Sequence, residues 1–243
     1  QIVPQLFVDD LAAATFCPTD GYATPEAVVQ GYARAAVEMG ARVVQGCTVE
    51  RITVESDRVA GVATSRGGIS SPRVVCTAGI WSRELAATAG VDIPVEPERR
   101  YVFLTDPGDP LPHELPLTID FATGYYFQRE GESILMGGRV TTLEELAPQA
   151  VHRLPLLAGM RIRPGWWGYY AMSPDHNAIV GATPSPQGFL YATGFSGHGF
   201  QQGPFIGEYL ADLALGRQPL LDLSPLSLER FAGEVLRPEG QVV

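Results

Sequence analysis

Lysine is absent from this sequence: all 17 basic residues are arginine, against 27 acidic ones, for a formal net charge of −10. So acidic a chain, with its positive charge unclustered, argues against nucleic-acid binding, which needs grouped cations on phosphate. Without lysine no side-chain amine is available as a base, a Schiff-base former or an oxygen-activating cation. Cysteine is scarce too. Cys17, Cys47 and Cys76 are odd in number, far apart and form no CxxC pair. That argues against a disulfide framework and for a reducing, cytoplasmic setting, with all three read as buried inert thiols. No apolar run approaches the length of a membrane span. Gln1–Asp10 shows no basic stretch followed by an apolar one, so no signal peptide is expected. The chain opens without methionine and in mid-domain, which reads as a fragment or a processed product. No His/Cys/carboxylate cluster has metal-ligand spacing, so no metal is expected. His113, His152 and His176 read as surface or structural residues.

What remains is a folding composition, 45% hydrophobic and 18% charged, long enough for one large domain or two small ones. Thr24-Pro25-Glu26 predicts a helix start, with Val28, Tyr32, Ala35, Ala36 and Met39 on one face and Gly40 as the left-handed cap. Val- and Ile-rich strands are expected at 42–46, 49–54, 59–64 and 73–77, with turns at Ser56-Asp57-Arg58 and Arg66-Gly67-Gly68. A second helix is expected over 81–89. From Val91 to about Gly165 prolines crowd the chain. Segments 100–105, 124–129 and 133–137 read there as an antiparallel sheet, with a short helix at 142–149. The last third returns to strands at 167–172 and 189–193, then a helix from Pro204 capped by Gly216. The tail beyond Pro219 is expected to wrap the surface. This is mixed α/β logic. An α/β part, 1–92 with 166–243, carries an inserted antiparallel β-rich part, 93–165.

The stretch Gly194-Phe195-Ser196-Gly197-His198-Gly199-Phe200 follows a strand and leads into a helix. Its glycines let backbone approach a planar ligand. Their N–H groups at a helix N-terminus suit negative charge, such as that on the pyrimidine edge of a reduced flavin. The glycines alone also fit an ordinary turn. Met172-Ser173-Pro174-Asp175-His176-Asn177 lies upstream. Taken in order with Asp20-Gly21 and Pro25, Val59 and Gly61, Cys76-Thr77-Ala78-Gly79-Ile80-Trp81-Ser82 and Gly124-Tyr125-Tyr126-Phe127, these motifs resemble the D-amino-acid oxidase-like flavoproteins. Within that family the sequence looks most like sarcosine oxidase beta-type subunits and glycine oxidase.

The resemblance implies an incomplete FAD-binding Rossmann-like domain with a β-rich substrate domain, and non-covalent FAD. It implies Val49 near the adenine, Ala78-Gly79 close to the dinucleotide, and Trp81 packed nearby. Gly194, Gly197, His198, Gly199 and Phe200 belong to the flavin-ring site. Tyr126 and Tyr170 face the substrate, an amine or amino acid oxidised by hydride transfer. Three departures stand out. The family's G-x-G-x-x-G turn is missing, so a complementary chain carrying that segment is an expected partner. Gly168 stands where some sarcosine oxidases carry a flavin-bonding cysteine. Gln201 stands where monomeric sarcosine oxidases have an oxygen-activating lysine, which favours a dehydrogenase or an oxidase that activates oxygen differently. Two alternatives stay open: a non-catalytic subunit kept as an interaction surface, and a flavin dehydrogenase of hydroxy acids.

Overall fold

The computed structural model describes residues 2–108, 115–233, 236 and 238–240; His113 lies outside them. Helix α1, Pro25–Glu38, starts where Pro25 fits the first helical position and ends at Met39 and Gly40. It buries none of its residues, and Tyr32 on its expected inner face is 61% exposed. The expected strand at 42–46 does not form. Val43 and Val44 stand exposed there, with no ladder partner among the described residues. A β-rich composition is not sufficient for a strand, because strand order comes from pairing and packing.

Strands β1 (Val49–Glu55), β2 (Arg58–Thr64) and β3 (Gly67–Ser70) form the expected antiparallel meander. Ser56 and Asp57 take positive φ between β1 and β2, as a tight hairpin turn requires. Strand β4, Val74–Cys76, leads through a short 3₁₀ turn (Gly79–Trp81) into helix α2, Ser82–Ala87. Strand β4 pairs in parallel with β11 (Phe189–Thr193), which pairs antiparallel with β10 (Ile179–Ala182). Ile52, Val59, Cys76, Ile93, Ile179, Phe189 and Tyr191 form the core between this sheet, the meander and α2. Only Cys76 of the three cysteines is buried. Cys17 is exposed and Cys47 half-exposed, because their segments run over the surface.

The second sheet has the order β6-β7-β8-β5-β9, all antiparallel: β5 Glu96–Thr105, β6 Thr118–Ile119, β7 Tyr126–Glu130, β8 Ser133–Gly137 and β9 Ile162–Met172. Strand β9 begins five residues earlier than its Trp-rich stretch suggests, because β5 pairs with it as far as Thr105↔Ile162. Alternation gives the sheet two different faces. Phe103, Phe127, Ile134 and Met136 turn to a core with Leu146 and Ala150 of α3, Leu143–Arg153. Thr142 and Glu145 close a capping box at the start of α3, worth about 1 kcal/mol. Residues 3–10 pack on this core too: Val3 lies within it, and Arg153 binds Asp10, Asp120 and the carbonyl of Phe7. Helix α4, Gly199–Leu215, starts before Pro204. It packs Ile206, Tyr209 and Leu210 on Val180, Leu190 and Ala192, and ends at Gly216 in the left-handed conformation.

Candidate functional site

The two long strands β5 and β9 carry the chain between the two cores, and the glycine stretch docks where β9 ends. Ser196 N–H donates to the Ala171 carbonyl at 3.1 Å, Ser173 N–H donates to Ser196 Oγ at 3.2 Å, and Ser196 Oγ–H donates to the Gly194 carbonyl. Gly194, Ser196 and Gly197 all have positive φ, which folds the segment back on itself. This turn lays Gly197 on the ring of Tyr170. A Cβ at Gly197 would sit 2.7 Å from Tyr170 Cε2.

Ser173-Pro174-Asp175 is a structural clamp. Ser173 Oγ–H lies within hydrogen-bond reach of the Asn177 carbonyl and of Asp175 Oδ1. Arg230, from the C-terminal tail, grips both oxygens of Asp175 at 2.8 and 3.0 Å, and both side chains are largely buried. Burial alone would raise the Asp175 carboxyl. The Arg230 guanidinium and the Asn177 amide outweigh it and hold the group below the usual carboxylate range. Nothing in the spacing of the tail marks Arg230 as a core residue; its signal is an arginine among apolar residues, Leu226, Leu228 and Phe231, at the surface-wrapping stage of the chain.

Beside the clamp lies an open cleft of about 400 Å³. Its walls include Thr77 and Gly79 from the β4–α2 connection, Gly194, Gly197 and Gly199 from the glycine stretch, and Tyr170. A second cavity of about 290 Å³ opens on the outer face of the β-rich sheet, between Val102, Leu117, Ile119, Tyr126, Gln128, Leu135 and Tyr170. Tyr170 is the shared wall of the two. Register explains the second cavity: Val102 faces Gly137, Gly137 faces Tyr126, and Tyr126 faces Ile119, so one row of side chains crosses four strands. Gly137 must be bare, since a Cβ there would meet Tyr126 Oη at 2.5 Å. Burial pushes the Tyr126 hydroxyl up to about 12 and raises that of Tyr170. Both remain protonated at neutral pH, so each hydroxyl has a proton to donate. Among the described residues lining the two cavities there is no carboxylate, histidine or cation.

The remaining sequence-predicted residues fall in three groups. Gly79 and Gly194 line the cleft with Gly197 and Gly199. His198 is half-buried at the start of α4, and Phe200 and Gln201 are exposed on its first turn, outside the residues that line the cleft. Val49 and Trp81 stand at the surface, Trp81 65% exposed, and Ala78 is half-buried beside it. The structure therefore brings Tyr126, Tyr170 and the glycines together, and leaves the Val49–Trp81 side as open surface.

The mixed α/β fold thus sets a glycine-lined cleft against an antiparallel sheet. The sequence matches the description "DAO: FAD dependent oxidoreductase" over residues 1–213, and the chain belongs to that family. It is similar to L-proline dehydrogenase from P. horikoshii at 30% identity and a TM-score of 0.88, covering 97% of this chain and 67% of that one. It is 28% identical to mitochondrial sarcosine dehydrogenase of Mus musculus, over 95% of this chain and 28% of the relative. Glycine oxidase from Geobacillus kaustophilus shares the fold, with a TM-score of 0.71 at 23% identity over 83% of this chain and 57% of that one. The chain thus spans under a third of the mouse sarcosine dehydrogenase.

Proposed function

We propose that this chain provides the flavin-ring and substrate portion of an FAD-dependent oxidoreductase acting on an amine or amino acid. The observation that carries the reading is the shared wall: Tyr170 closes both the glycine cleft and the cavity beside Tyr126. A planar ring in the cleft would lie against backbone at Gly194, Gly197 and Gly199. A substrate in the cavity would reach it past Tyr170. The residues present fit the ring part of FAD in this way. The Val49–Trp81 side offers surface but no enclosure among the described residues, so the dinucleotide part calls for a further segment, supplied by a longer form of the chain or by a partner chain.

When bound, FAD supplies the hydride acceptor. The protein's own contribution is orientation and exclusion of water. Tyr126 and Tyr170 are donors with hydroxyls held protonated by burial, so neither takes a proton from the substrate ammonium. The amine has to enter neutral. The rate at sub-saturating substrate should therefore rise with pH toward the ammonium's own pKa, with no earlier inflection from the protein. The absence of lysine, with Gln201 outside the cleft, supports a dehydrogenase over an oxidase. The relatives named for proline and sarcosine dehydrogenation support a small primary or secondary amino acid.

The test is a visible spectrum of the purified chain after desalting, with and without added FAD, followed by anaerobic titration with proline, sarcosine, glycine and lactate. Retained flavin bleached by the amino acids and not by lactate is the expected result. Bleaching by lactate alone would replace the amine reading with a hydroxy-acid one, and no flavin under any condition would remove the catalytic reading of the isolated chain.

A further inference from the structure

We propose that Arg153 is a positioning residue for the Tyr126 cavity, tying the turn that carries Tyr126 to the segment 3–10; the inference rests on the substrate role given to that cavity above. The turn, 120–125, joins Ile119 to Tyr126. These two residues pair across β6 and β7, and both line the cavity. Asp120 closes the turn with its backbone and its side chain. Its N–H donates to the Tyr125 carbonyl at 2.8 Å, its carbonyl accepts the Gly124 N–H at 2.7 Å, and its Oδ1 accepts the Ala122 N–H at 3.0 Å. Gly124 completes the loop at a φ of +77°. An aspartate that caps its own turn with one oxygen can offer the other to a second donor.

That donor is Arg153, on the last turn of α3. Its Nε and Nη2 lie 3.0 and 2.9 Å from Asp120 Oδ2, and both side chains are only 6% exposed. The rest of the guanidinium faces the segment 3–10. Nη1 donates to the Phe7 carbonyl at 2.6 Å and to Asp10 Oδ1 at 2.8 Å, and Nη2 donates to Asp10 Oδ2 at 3.2 Å. The Arg153 carbonyl accepts the Phe7 N–H at 3.0 Å. His152 Nε2 lies 2.8 Å from Asp10 Oδ2, and its ring meets that of Phe7 edge-on. The Arg153 guanidinium first, then His152, holds the Asp10 carboxyl well below the usual carboxylate range. One planar fork thus joins α3, the segment 3–10 and the turn. A buried ion pair adds little net stability, because desolvation offsets its attraction; here it fixes position. Leu146 and Ala150 already hold α3 on the sheet by apolar contact, which leaves the fork to set the turn, and with it Ile119 and Tyr126. Beyond Asp10 the chain runs exposed to α1, so the cavity wall is tied to the chain that enters the α/β part.

The experiment is hydrogen exchange of the full chain, with any flavin and partner chain that copurify, for the wild type, Asp10→Asn, Asp10→Glu and Arg153→Lys. The Asp10 side chain is 40% exposed, so its variants carry the test should Arg153→Lys fail to fold. Amides of 120–127 should exchange about tenfold faster in Asp10→Asn, the scale of one charge-assisted hydrogen bond. Those of 179–193 should keep the wild-type rate. Asp10→Glu should recover part of the protection, and Arg153→Lys, which keeps the charge and loses the fork, should lose more of it than Asp10→Asn. Anaerobic titration with proline then reads the cavity. The half-saturating concentration should rise with the exchange of the turn while the limiting rate of bleaching stays unchanged, since Tyr170 and the glycine stretch are untouched. Unchanged exchange at 120–127, an equal rise throughout the chain, or a loosened turn with an unchanged half-saturating concentration each overturns the proposal and leaves the amino-acid reading. In a protein that no amine bleaches, exchange alone decides the role of Arg153, and the amino-acid reading falls by itself.

Discussion

At Gly197 a single hydrogen atom separates a working wall from a collision. The residue has φ of +98°, and a methyl group would land 2.7 Å from the Tyr170 ring. Gly168, two residues before Tyr170, has open space around its Cα and no positive φ. The two glycines bracket the same tyrosine and make a controlled pair. Gly197→Ala should cost roughly 1–3 kcal/mol through backbone strain and displacement of the ring. Gly168→Ala should be neutral or slightly stabilising, since alanine orders a strand better than glycine does. Urea denaturation of both variants checks this, and equal effects would mean that Gly197 is a turn residue with no tie to Tyr170. The glycines and both tyrosines were legible in the sequence because they sit in ordered motifs. The packing of Arg100 on Tyr170 was not: it is one arginine of 17, and its place 5.3 Å from that ring comes from a pairing of β5 with β9 that spacing cannot reveal.

Among the elements, the clamp between β9 and β10 fixes the glycine stretch, and it depends on an ion pair with the tail. Asp175 is held below its ordinary value of about 3.9. A carboxyl depressed by folding contributes stability that is complete above the unfolded-state pKa and is lost as pH falls through the folded one. The wild type should therefore lose stability as pH drops below about 4. Asp175→Asn leaves Arg230 buried beside a neutral amide and should cost about 3–5 kcal/mol at pH 7, with a smaller further loss on acidification. Denaturant midpoints at pH 7 and pH 3 measure both. An Asn variant as stable as the wild type at pH 7 would show that the pair is solvated. The sequence marked Ser173-Pro174-Asp175 through its distance from the glycine stretch. It could not mark Arg230, 55 residues on in the chain, because long-range pairing leaves no local pattern. The same limit explains the strand expected at 42–46: its valines have the right composition, but a strand exists only where a neighbour accepts its hydrogen bonds.

For the molecule as a whole, the α/β part exposes a run of apolar side chains. Val29 and Tyr32 on α1, Val43 and Val44 after it, Val75 on β4 and Trp81 beyond it are all 40% exposed or more. Within its sheet β4 pairs only with β11 among the described strands, so one side of it is an edge. Unpaired edges and apolar surface of this kind invite association. The β-rich part exposes apolar side chains too, Leu117 and Phe121 and, on its edge strand β9, Trp166, Trp167 and Tyr169, while α3 covers one face of its sheet. We expect the association to arise from the α/β part, where β4 is a parallel edge. Sedimentation velocity of the isolated chain should show species heavier than one chain. Co-expression with a dinucleotide-binding βαβ segment taken from the P. horikoshii relative should return a one-to-one complex that retains FAD through desalting. Substituting Tyr32→Glu and Val44→Glu should abolish that complex while leaving the β-rich core folded. A strictly monomeric chain that retains FAD alone would mean that the α/β surface is complete as it stands, and that the cleft beside Tyr170 holds the cofactor without help.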